Sequence, residues 1–393
     1  MKYEYLSTDR SVCEFCQQIA GAARIAFDTE FVSEDRYYPE LCLVQVAAQG
    51  RLAVIDPLTV SDLAPFWQLV ASAGHTTIVH AGREEFRFCR RAIGARPADL
   101  FDTQIASGLV GLDYPAAYGT LLQRLLGESL GKGETRTNWR HRPLSKKQLE
   151  YAVQDVVYLE PLYDHLMGQL EELGRRHWLR DELAGWQDQL EREETTERWR
   201  RVSGISGLSR RQLAILYELW RWRDSQARSR DIPPRRVLRD DLMLELSRRA
   251  SADEHQIRAV RGMDWRKLQR SIPDIAGCIA RGLALPDEHL PNSGPKIPRP
   301  QYALLGQFLA TAVNSMARAA NVAPGLTGSV QDVRDLIAYH LGYGGEDVPV
   351  LAQGWRSEVV GQVVNRLLDG ELAIRITDPN SSQPLSFEAI DTK

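Results

Sequence analysis

The chain has 393 residues, of which 43% are hydrophobic and 26% are charged, and its formal net charge is −3. This length predicts two or three domains, and this composition is typical of a soluble globular protein. No apolar run is long enough for a transmembrane helix, and the first residues do not follow the pattern of a secretory signal. We therefore expect a cytoplasmic protein without a membrane partner. Its five cysteines are too few and too scattered for a disulfide framework.

The first part of the chain alternates strand-like and helix-like segments. The β-rich runs are 24–31, 41–48, 51–57 and 76–81, and an amphipathic helix near 62–73 precedes the last of them. Gln49-Gly50 predicts a turn and therefore an antiparallel hairpin. After the fourth run, helical patterns dominate to about Trp199. This order predicts a mixed sheet covered by helices.

Two breaker segments divide the rest of the chain. Residues 202–208 (VSGISGL) are rich in glycine and serine, and residues 285–300 (LPDEHLPNSGPKIPRP) read as a proline-rich linker. The blocks on either side of this linker are mostly helical. We therefore predict three domains, at 1–201, 208–288 and 297–393.

Asp28 and Glu30 lie two positions apart in the first β-rich run. Their side chains therefore project from one face of the strand, while Phe27, Thr29 and Phe31 point the other way. Adjacent carboxylates raise each other's pKa unless a cation is present, and oxygen ligands of this kind suit Mg²⁺ or Mn²⁺. An exposed acidic pair near a strand end is the alternative, because D-x-E is a common pattern.

A second cluster, residues 80–86 (HAGREEF), is a strand end that runs into a helix. Active groups often collect at this kind of position. Glu84 and Glu85 are also explained as first-turn charges that favour the helix dipole, and this account suffices for Glu84.

A third cluster lies on a helix whose start is marked in the sequence. Ser145 and Gln148 form a capping box, which predicts a helix from Lys146 to residue 166. Tyr151 and Asp155 lie one turn apart on one face, in an apolar setting where an unpaired carboxylate is costly. Tyr151 can orient a water molecule. A buried Tyr–Asp hydrogen bond without catalysis is the structural alternative.

Six motifs, in this order and spacing, resemble the ribonuclease D family: FDTEF, YYP, HAG, FDTQ, RTNW and RPLSKKQLEYAVQDVVYL. The resemblance covers roughly residues 20–200 and extends through all three motifs of the DEDD exonucleases, in the subclass with a tyrosine before the last aspartate. It implies an α/β exonuclease domain of ribonuclease H-like fold.

The resemblance also assigns catalytic residues. The carboxylates that bind metal and act in catalysis fall on Asp28, Glu30, Glu85 and Asp155, and the catalytic tyrosine falls on Tyr151. Position 85 departs from the family pattern, in which aspartate is usual, because glutamate keeps the charge but adds a methylene. Asp102, in FDTQ, is interpreted as a supporting residue and not as a ligand.

For this family, the implied mechanism uses two divalent ions, Mg²⁺ or Mn²⁺, and releases nucleoside 5′-monophosphates from a free 3′ end. Asp28 would bridge the two ions. Glu30 and Asp155 would complete the shell of the first ion, and Glu85 would serve the second. Tyr151 would position the attacking water.

Four further residues are candidates for substrate contact. Tyr37 and Tyr38 follow the first catalytic strand, where their rings either stack on unpaired bases or pack against the domain. Arg136 precedes the catalytic helix and can contact phosphate. His80 is more simply a hydrogen-bonded strand-end residue than a general base. Residues 127–133 (GESLGKG) lack the spacing of a phosphate loop, so we expect no nucleotide cofactor.

Residues 208–284 resemble an HRDC domain, the helical module shared by RecQ-type helicases and ribonuclease D. Leu213, Leu216 and Trp220 recur at helical spacing before a Pro-Pro break. Between Arg221 and Asp240 there are seven arginines and three aspartates, which either contact nucleic acid or form a solvated face; beside a nuclease we favour nucleic acid.

Residues 301–385 resemble a second, divergent HRDC-like helical domain by position. Either a clamp on the substrate or packing against the nuclease would explain this part. We expect its stretch 374–387, which is rich in turn residues, to be irregular.

The sequence therefore predicts a ribonuclease H-like α/β exonuclease domain followed by two all-α HRDC-like domains. We expect a monomeric 3′→5′ exoribonuclease that acts on RNA with a free 3′ end, such as tRNA precursors or structured RNA. A 3′→5′ DNA exonuclease is one alternative, because the same chemistry cuts both polymers. The other is a nucleic-acid-binding scaffold with an impaired nuclease site, which only Glu85 favours.

Overall fold

The computed structural model describes residues 1–130, 137–263, 266–292, 300–343 and 347–390. The chain divides into two compact units. The first contains Met1–Glu30, Leu41–Leu190 and Pro298–Lys393, and the second contains Phe31–Glu40 and Glu191–Ile297. The three domain boundaries drawn from the sequence stay a prediction, although the C-terminal residues group here with the exonuclease residues.

A six-stranded mixed sheet forms the centre of the first unit. Its strands are β1 (Glu4–Leu6), β2 (Arg24–Val32), β3 (Glu40–Ala48), β4 (Arg51–Ile55), β5 (Thr76–Val79) and β6 (Leu100–Asp102). Their order is β1-β4-β3-β2-β5-β6. Strand β5 is parallel to β2 and β6, and β1 is parallel to β4, while β3 and β4 are antiparallel. The predicted mixed sheet and hairpin are confirmed. Strands β1 and β6, of three residues each, were not predicted, because so short a run carries no periodicity.

Helices cover both faces of this sheet. Up to residue 195 they are α1 (Asp9–Ile19), α2 (Ala64–Ala71), α3 (Arg83–Ile93), α4 (Thr103–Leu109), α5 (Tyr118–Leu121), a π-helical turn (Leu122–Leu126), α6 (Lys146–Val157), α7 (Leu159–Glu172) and α8 (Arg176–Thr195). On one face, Phe27 of β2 packs edge-on against Phe66 and Trp67 of α2. On the other, Ala26 and Ile78 join a core shared with α4, α7 and α8. The two layers therefore bury β2 on both of its faces.

The second unit is a helical bundle. Its helices are α9 (Arg210–Ser229), α10 (Pro234–Val237), α11 (Asp240–Arg249), α12 (Glu254–Arg258), α13 (Arg266–Gln269) and α14 (Ile272–Ala284), with 3₁₀ turns at Arg198–Arg201 and Asp287–His289. A capping box of Ser209 and Gln212 begins α9. The core includes Leu216, Met243 and Ile279. The predicted helical module with a break before Pro234 is therefore present.

The C-terminal residues form helices and a hairpin. These elements are α15 (Pro300–Ala319), α16 (Pro324–Thr327), α17 (Val330–His340), α18 (Gly354–Arg356), α19 (Gln362–Leu368), β7 (Leu372–Ile376) and β8 (Leu385–Ala389), with a 3₁₀ turn at Val350–Ala352 and a π-helical turn at Ser357–Gly361. Strands β7 and β8 pair antiparallel. The expectation of an irregular stretch and an all-α domain was wrong here, since the turn residues after Ile376 close a hairpin.

The C-terminal helices pack directly on the exonuclease helices within the first unit. The guanidinium of Arg356 binds both carboxylate oxygens of Glu182, at 2.5 and 2.8 Å. The rings of Trp178 and Trp355 stack with centroids 5.5 Å apart. Of the two roles considered for this part of the chain, packing against the nuclease is therefore observed.

Among the described helices, none has the length and apolar character needed to cross a membrane.

Candidate active site

Strand β2 carries the first two candidate carboxylates. Ala26 is the last residue of β2 in the ladder with β5. Asp28 and Glu30 therefore lie just past this ladder, near the point where β5 gives way to α3. Both residues are partly exposed. The structure thus places the pair beyond the carboxyl end of the β2–β5 ladder, where solvent can reach it.

A tight turn from β5 into α3 positions Glu85. A Cβ atom at Gly82 would lie 2.3 Å from a methyl carbon of Val79, so this turn requires glycine. The carboxylate of Asp102 accepts hydrogen bonds from the backbone N–H groups of Ala81 (3.0 Å) and Gly82 (2.8 Å). Asp102 therefore braces the turn that carries Glu85, which favours the predicted supporting role.

Glu85 also has a partner that sequence reasoning missed. The Thr29 hydroxyl donates a hydrogen bond of 2.5 Å to Oε1 of Glu85, and each residue is only 5% exposed. Strand alternation predicts Thr29 on the face opposite Asp28, but it carries no signal of this contact. The contact depends on where α3 packs, which only the fold determines.

Helix α6 carries the remaining two candidates. It begins at Lys146 behind the capping box of Ser145 and Gln148, as predicted. The hydroxyl of Tyr151 is hydrogen-bonded to the carboxylate of Asp155. Both side chains are partly exposed.

The predicted continuation of this helix to residue 166 was wrong. Helix α6 ends at Val157, and α7 starts at Leu159. Pro161 has no N–H to donate to the carbonyl of Val157, and its ring crowds that carbonyl. The break keeps α6 a separate element, with Asp155 in its last turn.

The pKa values show that these carboxylates form one electrostatic cluster. Burial first, and then Glu85, Asp155 and Glu30, raise the pKa of Asp28 well above its usual value. Burial, Asp155 and Glu85 raise the pKa of Glu30 to about 8. Burial raises the pKa of Glu85 to about 7, and it does the same for Asp155 despite the bond from Tyr151. The fold therefore gathers four acidic groups that oppose one another's ionisation.

This cluster suits a hard cation by its chemistry. Across residues 1–130, 137–263, 266–292, 300–343 and 347–390, no three His, Cys, Asp or Glu side chains lie close enough to hold an ion as they stand. Oxygen donors whose ionisation is disfavoured gain most from a divalent ion, because the ion removes that repulsion.

Two other side chains border the cluster. His80 has its Nδ1 atom 2.9 Å from the hydroxyl of Thr103 and is also hydrogen-bonded to the backbone of Ala116; burial lowers its pKa. This is the hydrogen-bonded strand-end role considered for His80. Tyr118 was missed: burial and then Asp155 raise its pKa, which places its hydroxyl in the field of the cluster. It lies on a helix of four residues, which no sequence pattern marks.

The two tyrosines after β2 belong to the second unit and differ from each other. The hydroxyl of Tyr37 donates to Asp224 (2.8 Å) and accepts from Nε of Arg228 (2.9 Å), while its backbone N–H donates to Asp231 (3.1 Å). Tyr37 is thus packed, which is the second of the alternatives considered. Tyr38 is 45% exposed, and its ring packs edge-on against that of Tyr37, with centroids 4.8 Å apart. Arg136 lies outside the described residues.

A large surface cavity lies in each of the two units. That of the first unit, about 780 Å³, lies at the amino ends of β5 and β6 beside Thr76 and Leu100 and contains none of the predicted site residues. That of the second unit, about 690 Å³, is lined by Tyr38, Trp220 and Arg228 together with acidic neighbours. Exposed rings beside guanidinium groups are typical of surfaces that bind single-stranded nucleic acid.

Known proteins resemble this chain in sequence and in fold. Residues 3–171 match the family described as 3′-5′ exonuclease, and residues 212–279 match the HRDC domain. Ribonuclease D of Acidiphilium cryptum is 34% identical over 94% of both chains, and that of Sphingobium indicum is 33% identical over 96% of this chain and 97% of its own. The crystal structure of Escherichia coli RNase D, an exoribonuclease involved in structured RNA processing, superposes with a TM-score of 0.85 at 27% identity, over 94% of this chain and 99% of that one. These matches confirm the predicted exonuclease fold followed by an HRDC domain. The chain belongs to the ribonuclease D family.

Proposed function

We propose that this protein removes nucleotides one at a time from the 3′ end of RNA and releases nucleoside 5′-monophosphates. The observation that carries the proposal is the cluster of Asp28, Glu30, Glu85 and Asp155 at the junction of β2, α3 and α6, in a chain of the ribonuclease D family. Exoribonuclease activity in structured RNA processing is the stated role of the Escherichia coli enzyme. Trimming of structured RNA or of tRNA precursors is the corresponding role here.

Divalent metal ions are the cofactors of this proposal. Asp28, Glu30, Glu85 and Asp155 would hold these ions, and Asp28 is the central member of the set, since Glu30, Glu85 and Asp155 all act on it electrostatically. When bound, Mg²⁺ or Mn²⁺ supplies an activated water and neutralises charge on the phosphate.

The side chains around the cluster then have separate tasks. Tyr151, held by its bond to Asp155, orients the attacking water. Asp102 keeps the β5–α3 turn, and with it Glu85, in place. His80 stays neutral, since burial lowers its pKa, and acts through its hydrogen bonds and not as a base.

RNA is the proposed partner of the second unit as well. The 45% exposed ring of Tyr38 and the neighbouring Trp220 offer stacking surfaces for unpaired bases. A cytoplasmic, monomeric protein remains our prediction.

One assay tests the function. The protein is incubated with 3′-tailed RNA and with DNA of the same sequence, in Mg²⁺, in Mn²⁺ or in EDTA, and the released mononucleotides are identified. We expect 5′-monophosphates from RNA only when metal is present. Release in EDTA, or products with a 3′-phosphate, would contradict the proposal.

The same assay separates the alternatives. Equal or faster release from DNA would make the protein a DNA exonuclease, since reading of the ribose 2′-hydroxyl is what distinguishes the two polymers. Binding of RNA without release in either metal would identify a scaffold with an impaired nuclease.

A further inference from the structure

Thr29 lies between Asp28 and Glu30 on β2 and contacts a third candidate metal ligand. Its hydroxyl donates a hydrogen bond of 2.5 Å to Oε1 of Glu85. The strand that carries Asp28 and Glu30 is therefore connected through Thr29 to the carboxylate on α3.

The backbone that carries Glu85 has little freedom. Gly82 and the Asp102 carboxylate define the turn before α3, and Glu85 follows in the first helical turn. Its side chain is 5% exposed, so it cannot swing into solvent. With the backbone fixed, the reach of the carboxylate is set by side-chain length. An aspartate at this position would be one methylene shorter and would draw the carboxylate back toward α3.

A buried glutamate at this position also has rotamers that an aspartate lacks. A hydrogen bond to an ionised carboxylate is stronger than one between neutral groups, so a single buried hydroxyl can select one arrangement. In this chain, the Thr29 hydroxyl is the buried donor that can select the arrangement of the Glu85 side chain.

We propose that Thr29 is a positioning residue that adapts this site to glutamate at position 85. Its hydroxyl holds the longer side chain in the one arrangement that serves the metal beside Asp28. This inference rests on the proposed function. It implies that the glutamate side chain has the length that the hydrogen bond from Thr29 requires. The family's usual aspartate at position 85 would therefore lower the activity of this chain.

A double-mutant cycle tests the match. The proteins are the wild type, Thr29→Val, Glu85→Asp and the double variant, with Thr29→Ser as the control that keeps the hydroxyl. We expect each single variant to lose about tenfold in kcat, the usual effect of removing a hydrogen bond to a charged group. The kcat of the double variant should be no lower than that of the less active single variant, because both changes remove the same hydrogen bond. Thr29→Ser should stay within about threefold of the wild type.

Binding of Mn²⁺, followed by electron paramagnetic resonance on the full chain, supplies a readout apart from activity. The weaker of the Mn²⁺ sites should lose affinity in Thr29→Val and Glu85→Asp and recover it in Thr29→Ser. A merely structural threonine would lower the thermal midpoint without changing Mn²⁺ affinity. Thr29→Ala replaces Thr29→Val in the same cycle if the valine protein does not fold at the assay temperature.

The outcomes separate this inference from the function on which it rests. Additive losses in the cycle, or unchanged kcat and Mn²⁺ affinity in Thr29→Val, would overturn the role of Thr29 in an active enzyme. A wild type without metal-dependent release would instead overturn the proposed function.

Discussion

Two aspartates of the same sheet contrast in their surroundings. Asp56, directly after β4, is 0% exposed, yet Arg142 contacts both its oxygens, at 2.6 and 2.7 Å, and the Tyr5 hydroxyl donates to it as well. Burial alone would raise the pKa of Asp56, but these hydrogen bonds hold it below its usual value. Asp28, on β2, has other carboxylates as neighbours, and its pKa is raised.

The surroundings of the two carboxylates distinguish a structural charge from a functional one. This fold can supply a guanidinium to a buried carboxylate, as it does at Asp56. Around Asp28 the fold places other carboxylates instead. Their mutual repulsion is expected to destabilise the metal-free protein. Groups held against their own electrostatics are frequent at functional sites. Asp56 is therefore a structural residue, whereas the surroundings of Asp28 fit the metal site that we propose.

The largest expected effect is on activity at the carboxylate cluster. Asp155→Asn should lower kcat on the order of 10³-fold, because a metal ligand contributes several kcal/mol to the transition state. Its thermal midpoint should not fall, since a like charge is removed. Glu150→Gln, on the exposed side of the same helix, is the control and should retain full activity. Near-normal turnover by Asp155→Asn would place the chemistry elsewhere.

The next effect is on stability at the paired carboxylate. Arg142→Met leaves the buried Asp56 without its counter-ion, and should lower the free energy of unfolding by about 3 kcal/mol. Chemical denaturation measures it. The control is Arg51→Met, which breaks the exposed pair with Glu4 and should change stability by less than about 1 kcal/mol. Equal effects of the two variants would remove the contrast between Asp56 and a surface pair.

A smaller effect of opposite sign is expected inside the cluster. Without metal and above about pH 8, where Glu30 is ionised, Glu30→Gln should raise the free energy of unfolding by about 1 kcal/mol, because it removes repulsion from Asp28 and Asp155. With Mn²⁺ present, the sign should reverse, since the variant lacks a ligand. Thermal unfolding with and without Mn²⁺ tests this reversal. Destabilisation under both conditions would show that Glu30 is a scaffold residue like Asp56.

The smallest effect is in the pH dependence of the metal-free protein. The raised pKa values of Glu30 (about 8) and Asp155 (about 7) mean that the folded state binds more protons than the unfolded state above the unfolded pKa. Their contribution to stability is therefore lost as pH rises from about 4 through 8. Asp56 has the opposite sign: its contribution is lost as pH falls through its lowered pKa.

Thermal midpoints measured from pH 5 to pH 8 check this dependence. We expect the metal-free midpoint to fall by about 2–4 °C over the range, and Mg²⁺ to restore more at pH 8 than at pH 5. If Mg²⁺ raised the thermal midpoint equally at both pH values, its binding would not depend on these carboxylates.

Much of the site could be predicted because its signals are local. The spacing of Asp28 and Glu30 places them on one face of a strand, and Ser145 with Gln148 predicts the start of α6 and thus where Asp155 lies. These signals act within a few residues and survive packing. The signal for the helix break at Tyr158 was also local, since Pro161 marks it. The helical periodicity on both sides of Tyr158 nevertheless predicted one continuous helix.

The rest depends on packing between distant segments. The bond from Thr29 to Glu85 joins residues 56 positions apart, and that from Arg142 to Asp56 spans 86. No periodicity reports contacts of this kind. Tyr37 shows the same limit, because its partners Asp224 and Arg228 lie in another part of the chain.

The most direct test of the central claim is whether the opposing carboxylates bind metal. Mn²⁺ titration followed by electron paramagnetic resonance, on the wild type, Asp28→Asn and Glu150→Gln, measures it without any substrate. We expect two Mn²⁺ ions per chain for the wild type and for Glu150→Gln, and loss of both in Asp28→Asn. Mn²⁺ binding by Asp28→Asn that equals that of the wild type would show that Asp28 is not a metal ligand.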